Sequence, residues 1–303
     1  MFGGLVVFVP LIVLLGGAAA ALVSVRRAAH PWELPLPAAE ARLRDARSSV
    51  VGVTTGLGTA VVVVAVGLLS HSPALVLTGP LVGAALHAVV AYLHETTHPR
   101  PTGRVRSAKV VTRSIGDSAP PVLTVLGALA GSVVLAACVG GIVVNGASSQ
   151  YVWERGNGLA SGGLFPGGAI ALPVLVAAFT AIVVTGAVLH RVPARPAVPT
   201  APAWVDDGLR RTSAHRVVRV TSAALLATAG VLVLLWSHFA AVYGLEFTVN
   251  PDPADQPMPV GPLEWLVEPL GLGGLSIVLV GLVVLAVPAR GLRNPVAVGV
   301  TTA

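Results

Sequence analysis

The sequence predicts an all-α integral membrane protein with seven transmembrane helices, with the N-terminus outside and the C-terminus in the cytoplasm. Three observations support this prediction. First, 54% of the 303 residues are hydrophobic and 11% are charged, whereas a soluble domain has roughly 25% charged residues. Second, seven apolar runs reach the length of about 20 residues that a helix needs to cross a bilayer. Third, the basic residues are concentrated in alternate loops between these runs.

The seven runs form a single transmembrane domain that covers residues 1–303. They are approximately Phe2–Val25, Val50–Ser70, Ala74–His94, Pro121–Asn145, Leu164–His190, Val217–Tyr243 and Leu270–Pro288. The first run is N-terminal and rich in alanine, as signal peptides are, but Arg26 and Arg27 follow it instead of preceding it. Because a signal peptide carries its basic residues before the apolar segment, this order predicts an uncleaved helix.

The distribution of basic residues predicts the orientation, because cytoplasmic loops carry an excess of Arg and Lys. Loops Arg26–Ser49, Glu95–Pro120 and Arg191–Arg219 and the C-terminal tail hold five, five, six and two of the 19 basic residues. The one exception is Arg155. These loops therefore predict the cytoplasmic face of a multi-pass protein of the cell membrane, plasma or inner. The expected partner of the arginines is the anionic lipid headgroup and not nucleic acid.

Four loop segments have recognisable local patterns. On the cytoplasmic side, Pro37–Ser49 and Asp206–Arg216 predict short interfacial helices, the second with its acids at the start, where the helix dipole favours them. On the outside, His71–Pro73 predicts a tight turn between two helices. The Gly- and Ser-rich composition of Gly146–Gly163 predicts a mobile loop.

Small residues repeated every four positions predict where helices approach closely in lipid. The longest stripe, in the fourth run, predicts that Ser132 and Ala136 face another helix. Its members are Thr124, Ala128, Ser132, Ala136 and Gly140. Similar stripes in the second and third runs are Gly52, Gly56 and Ala60, and Gly79, Gly83 and His87. The lone cysteine, Cys138, is expected to be a small core residue.

His94-Glu95-Thr96-Thr97-His98 fits the pattern H-E-x-x-H, in which two histidines one helical turn apart bind zinc and the Glu acts as general base. Pro99 follows immediately, and a proline disfavours helical geometry at the residue before it, here His98. The sequence also offers no convincing third ligand. The alternative interpretation is a helix end capped by polar residues. We therefore expect no catalytic residue, metal or cofactor, and His94, Glu95 and His98 remain low-ranking candidates for a metal site.

His87 is the one histidine placed deep inside a run. Ionisable groups inside a membrane are functional candidates by default, so His87 is the candidate ligand-binding residue. A neutral histidine can equally form a hydrogen bond between helices, which is the structural alternative. No carboxylate falls within any run, which disfavours a proton-driven pump.

The stretch Glu95–Arg106 resembles a cytoplasmic segment of uncharacterised multi-pass membrane proteins of GC-rich bacteria. The resemblance covers about a dozen residues; it implies a membrane location and no particular activity. It also implies that the H-E-x-x-H match is accidental, because such proteins carry other residues at the position of His94.

These observations favour a non-enzymatic membrane component, for example a partner subunit of a transport or regulatory system. Such a component would use its basic loops to contact lipid or a membrane or ATPase partner. The first alternative is a substrate-handling permease, in which polar backbone in Gly- and Pro-rich helices would form the site. The second alternative is a membrane zinc peptidase that uses His94, Glu95 and His98.

Overall fold

A computed structural model describes residues 36–97, 114–154, 160–198, 203–246 and 264–286. These residues form seven helices and one pair of strands. The helices are α1 (Leu36–Leu69), α2 (Pro73–Thr96), α3 (Ile115–Ser118), α4 (Pro121–Asn145), α5 (Gly168–Ala194), α6 (Ala203–Glu246) and α7 (Glu264–Ala286). The strands are β1 (Gln150–Glu154) and β2 (Ala160–Leu164), between α4 and α5.

Six of these helices, all except α3, are long and apolar enough to cross a membrane. They correspond to six of the seven predicted runs, and the bounds of α4 coincide with the predicted run. The prediction of a helical multi-pass membrane protein is therefore confirmed. The remaining predicted helix, Phe2–Val25, lies outside the residues that the structure describes.

Helices α1 and α6 are much longer than the predicted runs. The two segments predicted as separate interfacial helices, Pro37–Ser49 and Asp206–Arg216, are the first turns of α1 and α6. The helical structure of both segments is as predicted, but their separation from the membrane-spanning helices is wrong, for a physical reason. No proline interrupts either helix after Pro37. The charged side chains of these first turns find partners on neighbouring helices, so each segment continues into its membrane-spanning helix without a break.

Helices α1 and α2 form a hairpin with glycines along its seam. A Cβ atom at Gly56 would lie 2.7 Å from the carbonyl oxygen of Gly83, and one at Gly79 would lie 3.2 Å from that of Ala60. Such an approach requires residues without side chains. The small-residue stripes predicted for the second and third runs are confirmed. The predicted tight turn follows α1, with His71 at a φ of 52° and Pro73 opening α2.

Helix α6 is the centre of the bundle and packs against α2, α4, α5 and α7. Within its membrane-spanning window 83% of the residues are buried. Polar side chains fix its neighbours. The hydroxyl of Ser222 donates to the carbonyl of Leu123 on α4 at 2.9 Å, and that of Ser237 donates to Val267 on α7 at 2.8 Å.

The predicted packing face of α4 is wrong. Ser132 and Ala136 are exposed, and the buried face instead consists of Leu123, Gly127, Ala130, Val134, Cys138 and Gly141. The hydroxyl of Ser132 donates to the carbonyl of Ala128 in its own helix at 3.0 Å, so it needs no neighbouring helix. Cys138 is fully buried in the core, as expected.

The segment between α4 and α5, predicted to be a mobile loop, contains the two strands. β1 and β2 pair antiparallel, with Gln150 opposite Leu164, and the mobility of this segment stays a prediction. Next to this hairpin, the rings of Phe165, Trp236 and Phe239 pack together, with Phe165 and Trp236 edge to face at 4.8 Å. The indole N–H of Trp236 donates to the carbonyl of Ala137 at 3.1 Å, so this ring packs against α4.

The hairpin seam predicts opposite effects for two glycines of α1. Gly56→Ala should lower the free energy of unfolding by about 1–3 kcal/mol, because the new methyl group overlaps the backbone of α2. Gly58→Ala is the matched control, since a Cβ there meets nothing within 4 Å, and alanine stabilises an exposed helix by roughly 0.5–1 kcal/mol. Thermal unfolding in detergent measures both. Equal melting temperatures for the two variants would show that the seam is not tightly packed.

Candidate functional site

Every arginine within the described ranges lies at one end of the bundle, where α1, α4 and α6 begin and α2, α5 and α7 end. We call this end the charged end. Its arginines are Arg42, Arg44, Arg47, Arg191, Arg195, Arg210, Arg211, Arg216 and Arg219. Several are buried among carboxylates and backbone carbonyls, and the candidate functional site lies among them.

Arg210 caps the end of α5. The last carbonyls of a helix have no hydrogen-bond donors within the helix. Here the guanidinium of Arg210 supplies the donors. Its Nη1 donates to the carbonyls of Val192 and Pro193 at 2.6 and 2.9 Å, and its Nη2 donates to that of Arg195 at 2.8 Å. Its Nε donates to Asp206, one turn earlier in α6, at 3.0 Å. Arg210 is 2% exposed, so its guanidinium forms its hydrogen bonds inside the protein.

A second buried arginine extends the network to α2. Nη1 of Arg195, just after α5, donates to both carboxylate oxygens of Glu95 at 3.4 and 3.3 Å. Its Nη2 lies 3.8 Å from Oδ1 of Asp206. All three side chains are buried. The ends of α2 and α5 and the start of α6 are thereby joined by alternating charges.

A third ion pair joins α1 to α6. Nη1 of Arg216 donates to Oδ2 of Asp45 at 2.7 Å, and the hydroxyl of Ser213 donates to Oδ1 at 3.3 Å. Asp45 is buried and Arg216 is half-buried. Since removing one partner of a buried pair leaves an uncompensated charge, these contacts make the register between the two helices specific.

A small polar cavity lies between α1, α2 and α6 beside these ion pairs. Its volume is about 30 Å³, enough for a molecule about the size of water. Its polar lining includes Asp45, His87, His94, Glu95, Ser213 and Arg216. The cavity thus brings together the two candidate residues of the H-E-x-x-H motif in α2, the separate candidate His87, and the charges that hold the helices.

His87 is 5% exposed, and neither of its ring nitrogens makes a hydrogen bond of normal geometry. The backbone of Gly52 lies beside the ring, where a Cβ would be 3.0 Å from Nδ1. The structural alternative proposed for His87, a hydrogen bond between helices, stays a prediction, with the backbone of Gly52 on α1 as the group beside the ring. The ring also lines the cavity.

The described part of the H-E-x-x-H segment, residues 94–97, forms the end of α2 and the residue that follows it. Helix α2 ends at Thr96, and the hydroxyl of Thr97 donates to the carbonyl of Leu93 at 2.9 Å. His98 lies outside the described residues. Glu95, the residue that would act as general base, is paired with Arg195. Within the described ranges no three His, Cys, Asp or Glu side chains are grouped to hold a metal ion.

The arginines that organise this site were not among the residues predicted from the sequence. Asp206 and Arg210 are four residues apart, a spacing that predicts an ion pair on one face of a helix. The sequence predicted a short interfacial helix here, but it did not predict that this helix packs against the end of α5. Arg195 pairs with Glu95 across 100 residues of sequence, and no local pattern predicts such a contact.

The cap on α5 predicts a difference between two adjacent arginines. Arg210→Lys should lower the free energy of unfolding by at least about 1.5–3 kcal/mol, the value of one charge-assisted hydrogen bond, because an ammonium cannot reproduce the planar fork. Arg211→Lys is the matched control, since Arg211 is exposed. Chemical or thermal unfolding of the purified variants measures the difference. A fully stable Arg210→Lys variant would contradict the role assigned to the fork.

Comparison with known proteins finds no matching family model, no matching curated protein and no matching solved structure.

Proposed function

We propose that this chain is a non-enzymatic component of the cell membrane and serves as a partner subunit of a transport or regulatory system. The observation that carries the proposal is the buried contact between Glu95 and Arg195, at 3.3 Å. A carboxylate held in this way is not free to act as a base toward a substrate. The cavity beside it has room for about one water molecule. The polar groups of the charged end therefore favour a role in holding helices together.

The outer surface of α7 supports a role in assembly. This helix packs mainly against α6, and Leu272, Leu279 and Val283 are between 53% and 67% exposed. Their spacing of seven and four residues places them on one face of the helix. Such a face meets lipid or a helix of another subunit, and the second possibility is the one we propose.

The two alternatives make different demands. A permease needs a polar route across the bundle, and the groove between α4, α5 and α6 is lined mainly by apolar atoms. A zinc peptidase needs Glu95 released from Arg195 and a third ligand besides His94 and His98. One zinc per chain in the purified protein, lost on His94→Ala, would favour the peptidase.

The proposed partner role is tested by photo-crosslinking in native membranes. A photoreactive amino acid at Leu272 should give one discrete adduct that contains a second membrane polypeptide. The same amino acid at Val278, which is 3% exposed on the same helix, is the control for reaction within the chain. Adducts with lipid alone, at Leu272 and at the neighbouring exposed positions Leu279 and Val283, would contradict the proposal.

We also propose that the charged end is cytoplasmic and lies among anionic headgroups, because arginines are concentrated on that side of membrane proteins. Glu40 and Ser70 are exposed near opposite ends of α1, about 45 Å apart at 1.5 Å per residue. In a Cys138→Ala background, an impermeant maleimide should label Ser70→Cys in intact cells. It should label Glu40→Cys only after permeabilisation, and the opposite pattern would reverse the orientation.

A further inference from the structure

A groove of about 510 Å³ runs between α4, α5 and α6 in the half of the bundle nearest the charged end. Its floor includes the buried residues Gly127, Ala178 and Ser222, and its walls include the exposed side chains of Leu135 and Phe179. The volume falls within the range of about 300–1,000 Å³ that is typical of small-molecule sites. Because its walls are exposed, the groove opens sideways into the bilayer.

The groove exists because small residues leave the space between α4 and α5 unfilled. A Cβ atom at Gly186 meets nothing within 4 Å, and one at Gly131 meets only the end of Ile182, at 3.7 Å. The hydroxyls at the floor bond to protein atoms, for example Thr185 to Thr221 at 2.7 Å. An occupant therefore meets an apolar surface whose polar atoms are already satisfied, which suits a hydrocarbon chain.

A positive charge lies below the groove on the same face of α6. Arg211 precedes the groove residues Val218, Ser222 and Leu225 by 7, 11 and 14 positions, spacings that return to one side of a helix. At 1.5 Å per residue, Arg211 is about 10 Å from Val218 along the axis. The neighbouring Arg210 bonds to the last carbonyls of α5, so Arg211 lies at the level where the helices leave the membrane.

Arg211 is exposed. The acidic residue near it, Asp117 on α3, accepts hydrogen bonds at the start of its own short helix. The backbone N–H and the hydroxyl of Ser114 donate to Oδ2 of Asp117 at 2.8 and 2.9 Å. These bonds lower the pKa of Asp117, and the charge of Arg211 contributes less. Asp117 thus caps α3, while the guanidinium of Arg211 remains exposed. Its planar fork matches the geometry of a phosphate.

We propose that this groove binds one acyl chain of an anionic phospholipid from the leaflet at the charged end, with the lipid phosphate bound by Arg211. The proposal rests on the placement of the charged end among anionic headgroups, and it adds a defined site for a single lipid. It also explains why the stripe Thr124, Ala128 and Ser132 is small although none of the described helices packs on it: these residues line the groove.

Native mass spectrometry of the purified full-length chain tests the headgroup. Phosphatidylglycerol and phosphatidylcholine with identical acyl chains serve as probes, and the parent should retain one phosphatidylglycerol in preference. Arg211→Gln should lower that preference about five-fold, the effect of one basic residue near an anionic surface. Arg211→Lys should keep most of it. Arg44→Gln removes an exposed arginine of α1 at the same end and should change nothing.

Filling the groove tests the acyl chain. Gly186→Phe and Ala128→Phe place a ring in the groove from α5 and α4, and each should reduce retention of both lipids about ten-fold. The controls Val183→Phe and Val125→Phe lie on the same helices, at exposed positions that do not line the groove. Two groove variants on different helices keep the test decisive if one does not fold.

Three results would overturn the proposal: equal retention of the two lipids by the parent, an unchanged preference in Arg211→Gln, or undiminished retention in the folded groove variants. Glycerol phosphate without acyl chains should not bind, and its retention at Arg211 would likewise overturn a lipid site. The measurement uses the chain alone. Its failure would therefore leave the proposed partner role standing, and a missing partner would not affect its outcome.

Discussion

The charged end of this protein depends on how the last carbonyls of α5 are satisfied. A polar group buried without a hydrogen-bond partner is costly, and the final turn of a helix exposes several carbonyls that no later N–H reaches. With one guanidinium Arg210 satisfies two of them, at Val192 and Pro193, and also the carbonyl of Arg195 just after the helix. Once this cation is buried it needs an anion, which Asp206 provides. Asp206 and Glu95 in turn lie on either side of Arg195. The need to satisfy the last carbonyls of α5 thus sets the positions of α2 and α6.

The rest of the bundle is held by contacts of a different kind. In lipid there is no hydrophobic force to drive helices together, so close packing and hydrogen bonds between helices decide which ones associate. The pair α1 and α2 uses packing, with glycines in direct backbone contact. The contact of α6 with α7 combines both: a Cβ at Gly230 would lie 2.6 Å from the carbonyl oxygen of Gly274, and the hydroxyl of Ser237 donates to the carbonyl of Val267. The contact of α6 with α4 uses the hydroxyl of Ser222 and the indole N–H of Trp236, which donate to backbone carbonyls.

Much of this architecture could be predicted from the sequence, and the exceptions have physical causes. Apolar length predicted α4 to the residue, because Pro121 and Asn145 bound an uninterrupted run. It failed for the first turns of α1 and α6, since hydropathy does not show that a charge such as Asp45 has a partner on another helix. The stripe on α4 was visible, but small size alone does not distinguish a helix contact from a groove. At the site, His94 and Glu95 were recognised, whereas the burial of Arg195 depends on a contact distant in sequence.

The central position of α6 reverses the usual relation between hydrophobicity and burial. Among the membrane-crossing helices, α4, α5 and α7 have the highest mean hydropathy, yet α2 and α6, which have the lowest, are the most buried. Apolar content in this chain therefore follows exposure on the outside of the bundle and not burial within it. Where an outer helix faces lipid, one aliphatic residue can replace another without loss, because fluid hydrocarbon adapts to any shape. The information that selects this fold is carried instead by the two least hydrophobic of these helices, in the glycines of α2 and in small polar residues of α6 such as Thr221 and Ser222.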